Sequence, residues 1–123
     1  MKKKVLITDD DELVVLSLEA LLTSEGFSVQ SAVNGVEAMA KVSQETFDLI
    51  VLDVIMPGMT GFEICRAIRQ LEGYKAVPIV MLTAKSSEAD RQQGLKAGAS
   101  RFLSKPIDPK QLVVALREEL KIQ

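Results

Sequence analysis

Two short stretches decide most of the architecture: Leu49-Ile50-Val51-Leu52 and Ile79-Val80-Met81-Leu82. Both are apolar at every position. A strand with one wet face alternates apolar and polar residues. One that never alternates is covered on both faces, which is the condition of parallel strands layered between helices. Parallel neighbours need long crossovers, usually helical, so helical patterns should flank each run.

They do. Lys3 to Thr8 reads as a first strand. Asp11 to Glu25 reads as a helix, with Val14, Leu18, Leu21 and Leu22 on one face and Gly26 where a helix stop belongs. Phe27 to Ala32 is a second, more polar strand. Asn34-Gly35 opens a second helix, with Val36, Met39 and Ala40 sharing a face. Phe47 to Asp53 is the third strand. The loop DVIMPGMTG follows, broken by Pro57, Gly58 and Gly61. Phe62 to Leu71 is the third helix, with Ile64, Ile68 and Leu71 in register. Val77 to Thr83 is the fourth strand, and Ser86 to Ala97 a polar fourth helix that holds Gly94. Ala99 to Leu103 is a fifth strand, and Asp108 to Lys121 a last helix with Leu112, Leu116 and Leu120 inward.

Five strand-helix units with right-handed crossovers give an α/β fold: an open parallel sheet with helices on both faces. The polar second strand suits an edge. The predicted order is therefore 2-1-3-4-5, the flavodoxin-like doubly wound (βα)5 arrangement. The units fill all 123 residues, which predicts a single domain, 1–123, with no output domain.

Composition narrows the function. The net charge is -2, which argues against nucleic acid as the main partner, because backbone binding needs a basic face. Lys2-Lys3-Lys4 reads as a solvated strand entry. No apolar run approaches a membrane span, and no signal-peptide core follows the basic start. The default expectation is a soluble cytoplasmic protein. With no histidine in the chain, Ser-His-Asp and Cys-His catalysis and His-ligated zinc are excluded, and this chain carries no phosphohistidine. Cys65, the lone cysteine, falls in an apolar helical pattern and reads as a small buried hydrophobe.

Carboxylate chemistry remains. Asp9, Asp10 and Asp11 follow the first strand directly. At about 5 Å and an effective dielectric near 20, each like-charge pair costs roughly 3 kcal/mol. Water, a helix N-terminus or a cation must offset that. Ligands in open α/β sheets bind beyond the carboxyl ends of the strands. That edge receives Asp9 and Asp10 from strand one, Asp53 from strand three, Thr83 from strand four and Lys105 just past strand five. Singly, each has an ordinary explanation: helix caps, a turn former, a strand residue, a loop lysine. Asp11 is best read as a cap. Together they form a set suited to Mg²⁺ and a phosphoryl group. Magnesium takes one or two carboxylates plus a phosphate, Thr83 and Lys105 meet phosphoryl oxygens, and a carboxylate can itself accept the phosphoryl group.

These blocks resemble a response-regulator receiver domain of two-component signalling, of the single-domain chemotaxis-regulator type. The resemblance runs from Lys4 to about Leu120. It rests on Asp9-Asp10, on DVIMPGMTG from Asp53 to Gly61, on Thr83-Ala84, and on GASRFLSKP from Gly98 to Pro106. It implies that Asp53 is the phosphoacceptor, and that Asp9, Asp10, Asp53 and the Ile55 backbone carbonyl hold Mg²⁺. Thr83 would donate its hydroxyl to the phosphoryl group, Lys105 would bind a phosphoryl oxygen and the Asp53 carboxylate, Thr83 and Phe102 would form the switch, and Lys105-Pro106 would be a cis peptide. Ile55 and Lys85 would tune the phosphoryl lifetime. Thr8 stands where the family more often has an aliphatic residue, with a small packing effect expected.

The implied donor is a phosphohistidine on a sensor histidine kinase or phosphotransfer protein. The implied output is a protein target bound on helix 4, strand 5 and helix 5, with no direct nucleic acid or membrane contact. On this reading the chain is a phosphoacceptor that promotes its own phosphoryl transfer and slow self-dephosphorylation, rather than a turnover enzyme. Three alternatives stand beside it. A phosphorylation-independent pseudo-receiver is opposed by the full residue set. An Asp-dependent phosphatase is opposed by Ile55 where a second acid belongs, and a flavin module by acids where a phosphate cradle belongs.

Overall fold

A computed structural model describes residues 2–123. The elements run β1 (Lys4–Thr8), α1 (Glu12–Ser24), β2 (Ser28–Ala32), α2 (Gly35–Gln44), β3 (Leu49–Leu52), α3 (Gly61–Arg69), β4 (Ile79–Thr83), α4 (Glu88–Ala97), β5 (Arg101–Ser104) and α5 (Pro109–Leu120). All pairings are parallel and the order is β2-β1-β3-β4-β5, as the sequence predicted. Among the described residues no helix is long and apolar enough to cross a membrane.

The non-alternating runs are divided between two cores. Leu49 and Val51 of β3 face α1 and α5, with Val5, Ile7, Val80 and Leu82 from the neighbouring strands. Ile50 and Leu52 face the opposite layer, formed with α2, α3 and α4. Every position of β3 and β4 is buried. At roughly 25 cal/mol per Å² of apolar surface, full burial of each such side chain stabilises the fold by about 2 kcal/mol. β2 has one buried residue in five, Ala32, and takes the edge.

Two helix faces differ from the sequence reading. In α1 the buried stripe is Val15, Leu18 and Leu22, with Val14 and Leu21 packing only partly. In α2 the inward face is Gly35, Ala38 and Val42. Val36 is 77% exposed, not inward. The cause is close approach: a Cβ on Gly35 would lie 3.0 Å from Met59 Sδ and 3.1 Å from Ile64. Small residues let α2 settle against α3, and that rotation turns Val36 to solvent.

The helix ends follow local chemistry. The Asp11 carboxylate accepts from the amides of Leu13 and Val14, capping α1 as expected. Thr60 and Glu63 form a reciprocal capping box on α3. The next residue, Gly61, is required sterically, since a Cβ there would sit 2.1 Å from the Asp53 carbonyl oxygen. α3 therefore starts directly on the backbone of the Asp53 loop. Cys65 is fully buried, and burial pushes its thiol up to about 11, so it is inert packing.

Thr8, for which a small packing effect is expected, also carries a polar consequence. It is 1% exposed, and Oγ1 is the one buried side-chain polar atom without a hydrogen-bond partner among the described residues. An orphaned buried hydroxyl costs about 1–3 kcal/mol. Thr8→Val, nearly isosteric, is expected to raise the free energy of unfolding by about 1 kcal/mol in urea titration. A lower stability would mean that the hydroxyl is satisfied.

Candidate functional site

The site begins as a matter of register. Thr8 of β1 lies opposite Leu52 of β3, so the next residues, Asp9 and Asp53, leave the sheet side by side. The Asp53 amide donates to the Thr8 carbonyl at 2.9 Å and closes the pair. On the other flank Thr83 lies opposite Ser104. The Lys105 amide donates to the Thr83 carbonyl at 2.9 Å, delivering the lysine to the same edge. The Lys105–Pro106 peptide is cis.

The side chains converge. Lys105 Nζ is 2.6 Å from Asp9 Oδ2 and 3.2 Å from Asp53 Oδ2. Asp9 Oδ1 accepts the Asp11 amide at 2.9 Å. Asp53 Oδ1 accepts the Val54 amide at 2.7 Å and, more weakly, that of Ile55 at 3.4 Å. Both carboxylates are buried, while Asp10 is exposed. Thr83 is fully buried, and its Oγ1 accepts the Lys85 amide at 3.1 Å.

The carboxylates of Asp9, Asp10 and Asp53 each bring an oxygen within 4.8 Å of the others. An all-oxygen donor set of this charge, open to water on the Asp10 side, fits Mg²⁺, which retains several waters. The electrostatics agree. Burial pushes the Asp9 carboxyl above its usual range; the Lys105 and Asp11 contacts pull it back, and the Asp53 charge adds to the rise. For Lys105, burial acts downward but is outweighed by Asp9 and Asp53, so its ammonium is held more firmly than usual. The carboxylate bears the cost of burial and the lysine takes the benefit of both acids.

The remaining expected residues sit around this centre. Ile55 is 57% exposed at the rim. The Lys85 ammonium pairs with Asp90 at 2.9 Å. Phe102 is partly buried and packs on the α2-α3-α4 core. A Cβ added to Gly94 of α4 would lie 2.9 Å from its ring. Asp90 escaped the sequence reading. The signal for it is Ser87-x-x-Asp90, a capping box at the start of α4.

A parallel α/β sheet with an acid cluster, a hydroxyl and a lysine at its carboxyl edge defines a class of phosphoryl-handling signalling domains. The comparisons make that particular. Residues 5–117 match the family model described as the response regulator receiver domain, and the chain belongs to that family. It is 43% identical over 117 residues to the response regulator PleD of Caulobacter vibrioides, covering 95% of this chain and 26% of PleD. The chain spans between about a quarter and a half of the curated relatives it matches. The chemotaxis protein CheY4 of Vibrio cholerae superposes with a TM-score of 0.93 at 39% identity, covering 96% of this chain and 98% of that one. The receiver domain of a Pseudomonas aeruginosa sensor histidine kinase, with a magnesium ion coordinated in its active site cleft, gives 0.91 at 29% identity, covering 98% and 99%. Phosphorylation on an aspartate is the general mechanism of the family.

The pH response follows from Asp9. Its folded-state pKa lies above the ordinary value of 3.8. The folded protein therefore holds this proton more tightly than the unfolded chain, and stability falls as pH rises through that window. In chelator at pH 7, Asp9→Asn is expected to melt higher than the wild type, with the advantage shrinking below the ordinary carboxylate range. Millimolar Mg²⁺, binding only the folded site, is expected to raise the wild-type melting temperature and to leave Asp9→Asn nearly unmoved. A wild-type melt indifferent to Mg²⁺ counts against the cation site.

Proposed function

We propose that the chain, acting as one receiver unit over residues 1–123, accepts a phosphoryl group on Asp53 from a phosphohistidine donor in a Mg²⁺-dependent reaction. The carrying observation is the meeting of Asp9, Asp53 and Lys105 within hydrogen-bond distance, across sequence separations of 96 and 52 residues. Asp9, Asp10, Asp53 and the Ile55 backbone carbonyl would hold the ion. When bound, Mg²⁺ neutralises charge between the carboxylates and the incoming phosphoryl oxygens.

The chain's own groups do the rest by position and charge. A carboxylate oxygen of Asp53 bonds to phosphorus as the bond from phosphorus to the donor imidazole breaks, and the imidazole leaves with its electron pair. The Val54 amide fixes Asp53 Oδ1. Lys105 exchanges its contact with Asp53 Oδ2 for a phosphoryl oxygen. Thr83 donates its hydroxyl to another. Water later attacks phosphorus, releasing phosphate and restoring the carboxylate. Ile55 offers that water no polar side chain, which supports slow self-dephosphorylation.

The donor is a sensor histidine kinase or a phosphotransfer protein. The apolar groove lined by Leu13, Val14, Leu18, Pro106 and Ile107 offers an apolar helix a seat next to Lys105, which contacts Asp53. Phosphorylation adds a charge of about -1.5 to -2 at one point and moves Thr83 and Phe102. The output face is α4, β5 and α5. α4 buries only Asp90, Gly94 and Ala97, so little apolar contact holds it in one position.

Intact mass after incubation with a small acyl phosphate tests the reading. One phosphoryl group is expected with Mg²⁺, none without it, and none on Asp53→Ala. Labelling that survives Asp53→Ala would move the acceptor elsewhere. Ile55→Asn is expected to shorten the aspartyl-phosphate half-life; an unchanged half-life would remove Ile55 from rate control.

A further inference from the structure

Lys85 and Asp90 lie outside the site as described, yet they connect to it without a break. The Lys85 amide donates to Thr83 Oγ1 at 3.1 Å. The ammonium of the same residue is 2.9 Å from Asp90 Oδ1. Asp90 Oδ2 accepts the Ser87 hydroxyl at 2.7 Å and the Ser87 amide at 3.2 Å, and Ser87 Oγ accepts the Asp90 amide at 3.1 Å. Asp90 is buried, at 8% exposure. Both of its oxygens are thus spent on the loop between β4 and α4, and among the described residues the Lys85 ammonium pairs with Asp90 and with neither Asp9 nor Asp53.

We infer that Asp90 sequesters Lys85 from the phosphoryl site, and that the phosphoryl group on Asp53, by competing for this ammonium, releases the N-terminal end of α4. The inference rests on the Asp53 reading above. Two features make the exchange feasible. Lys85 is a flexible cation about half in solvent, two residues from the hydroxyl that meets the phosphoryl group, and a phosphoryl group carries more charge than one carboxylate. Asp90 is not orphaned by the loss, because Ser87 and the helix N-terminus continue to stabilise it.

The consequence reaches Phe102. The ring of Phe102 rests where Gly94 has no side chain, one turn along α4 from Asp90. A shift of the first turn moves the floor of that seat. Lys85 and Asp90 are positioning residues: they set where a charge and a helix sit and take no part in bond making.

A double-mutant cycle tests this. Wild type, Asp90→Asn, Lys85→Ala and the double variant are compared for the rate of labelling by a small acyl phosphate in Mg²⁺, read by intact mass. Asn keeps a side-chain oxygen at the third helical position to accept from Ser87, and far-ultraviolet circular dichroism checks that each variant is folded. Asp90→Asn frees the ammonium and is expected to label about 3- to 10-fold faster. Lys85→Ala is expected to label more slowly, and the double variant to match Lys85→Ala. Equal rates for wild type and Asp90→Asn, or a gain that persists in the double variant, would overturn the inference while leaving Asp53 as the acceptor. No labelling of any of the four would remove both readings.

Discussion

Two carboxylates, Asp9 and Asp53, leave neighbouring parallel strands at the same level, and a lysine far along the chain makes their burial tolerable. Most of the molecule serves that arrangement. The β1–β3 register sets the two acids side by side. The β4–β5 pairing carries Lys105 to the same edge. α3 begins against the Asp53 loop, at a glycine no other residue can replace without moving the backbone. The pairing is not a stability device. A buried acid that keeps its proton longer than usual reports a net cost, and that cost is what a bound cation would relieve.

The rest of the fold divides into a firmly held sheet and one weakly held helix. The sheet is rigid because β3 and β4 are buried at every position. α4 is the opposite: a polar helix held by a capping box, an ion pair and a few small residues. Stability is distributed unevenly in proteins, and switching elements come from the weakly held end. Here the weakly held helix follows directly on Thr83, the residue that would sense the phosphoryl group.

Much of this was legible before any coordinates. Non-alternating strands at Leu49–Leu52 and Ile79–Leu82 required two helical layers, and a polar β2 required an edge. The motif blocks marked Asp9, Asp53, Thr83 and Lys105 because strand ends in such a sheet face one crevice. The helix faces were less legible. Val36 reads as apolar and inward, but Gly35 and Ala38 govern the approach of α2 to α3, and small residues carry almost no signal in a periodicity count. Asp90 was missed for a similar reason: a capping acid in a polar helix looks like solvated surface until its partners are seen.

The amino-acid sequence by itself determined the order of elements, the two-layer covering of a parallel sheet and the membership of the acidic cluster. Those follow from local pattern and from the geometry that every such sheet obeys. Only the tertiary structure decided which charges actually meet. That Lys105 takes up Asp9 beside the expected Asp53, while Lys85 pairs with Asp90, depends on distances of a few ångströms between side chains far apart in the chain or on different elements. Coulomb energies in a partly buried site change steeply over such distances, and no linear spacing encodes them.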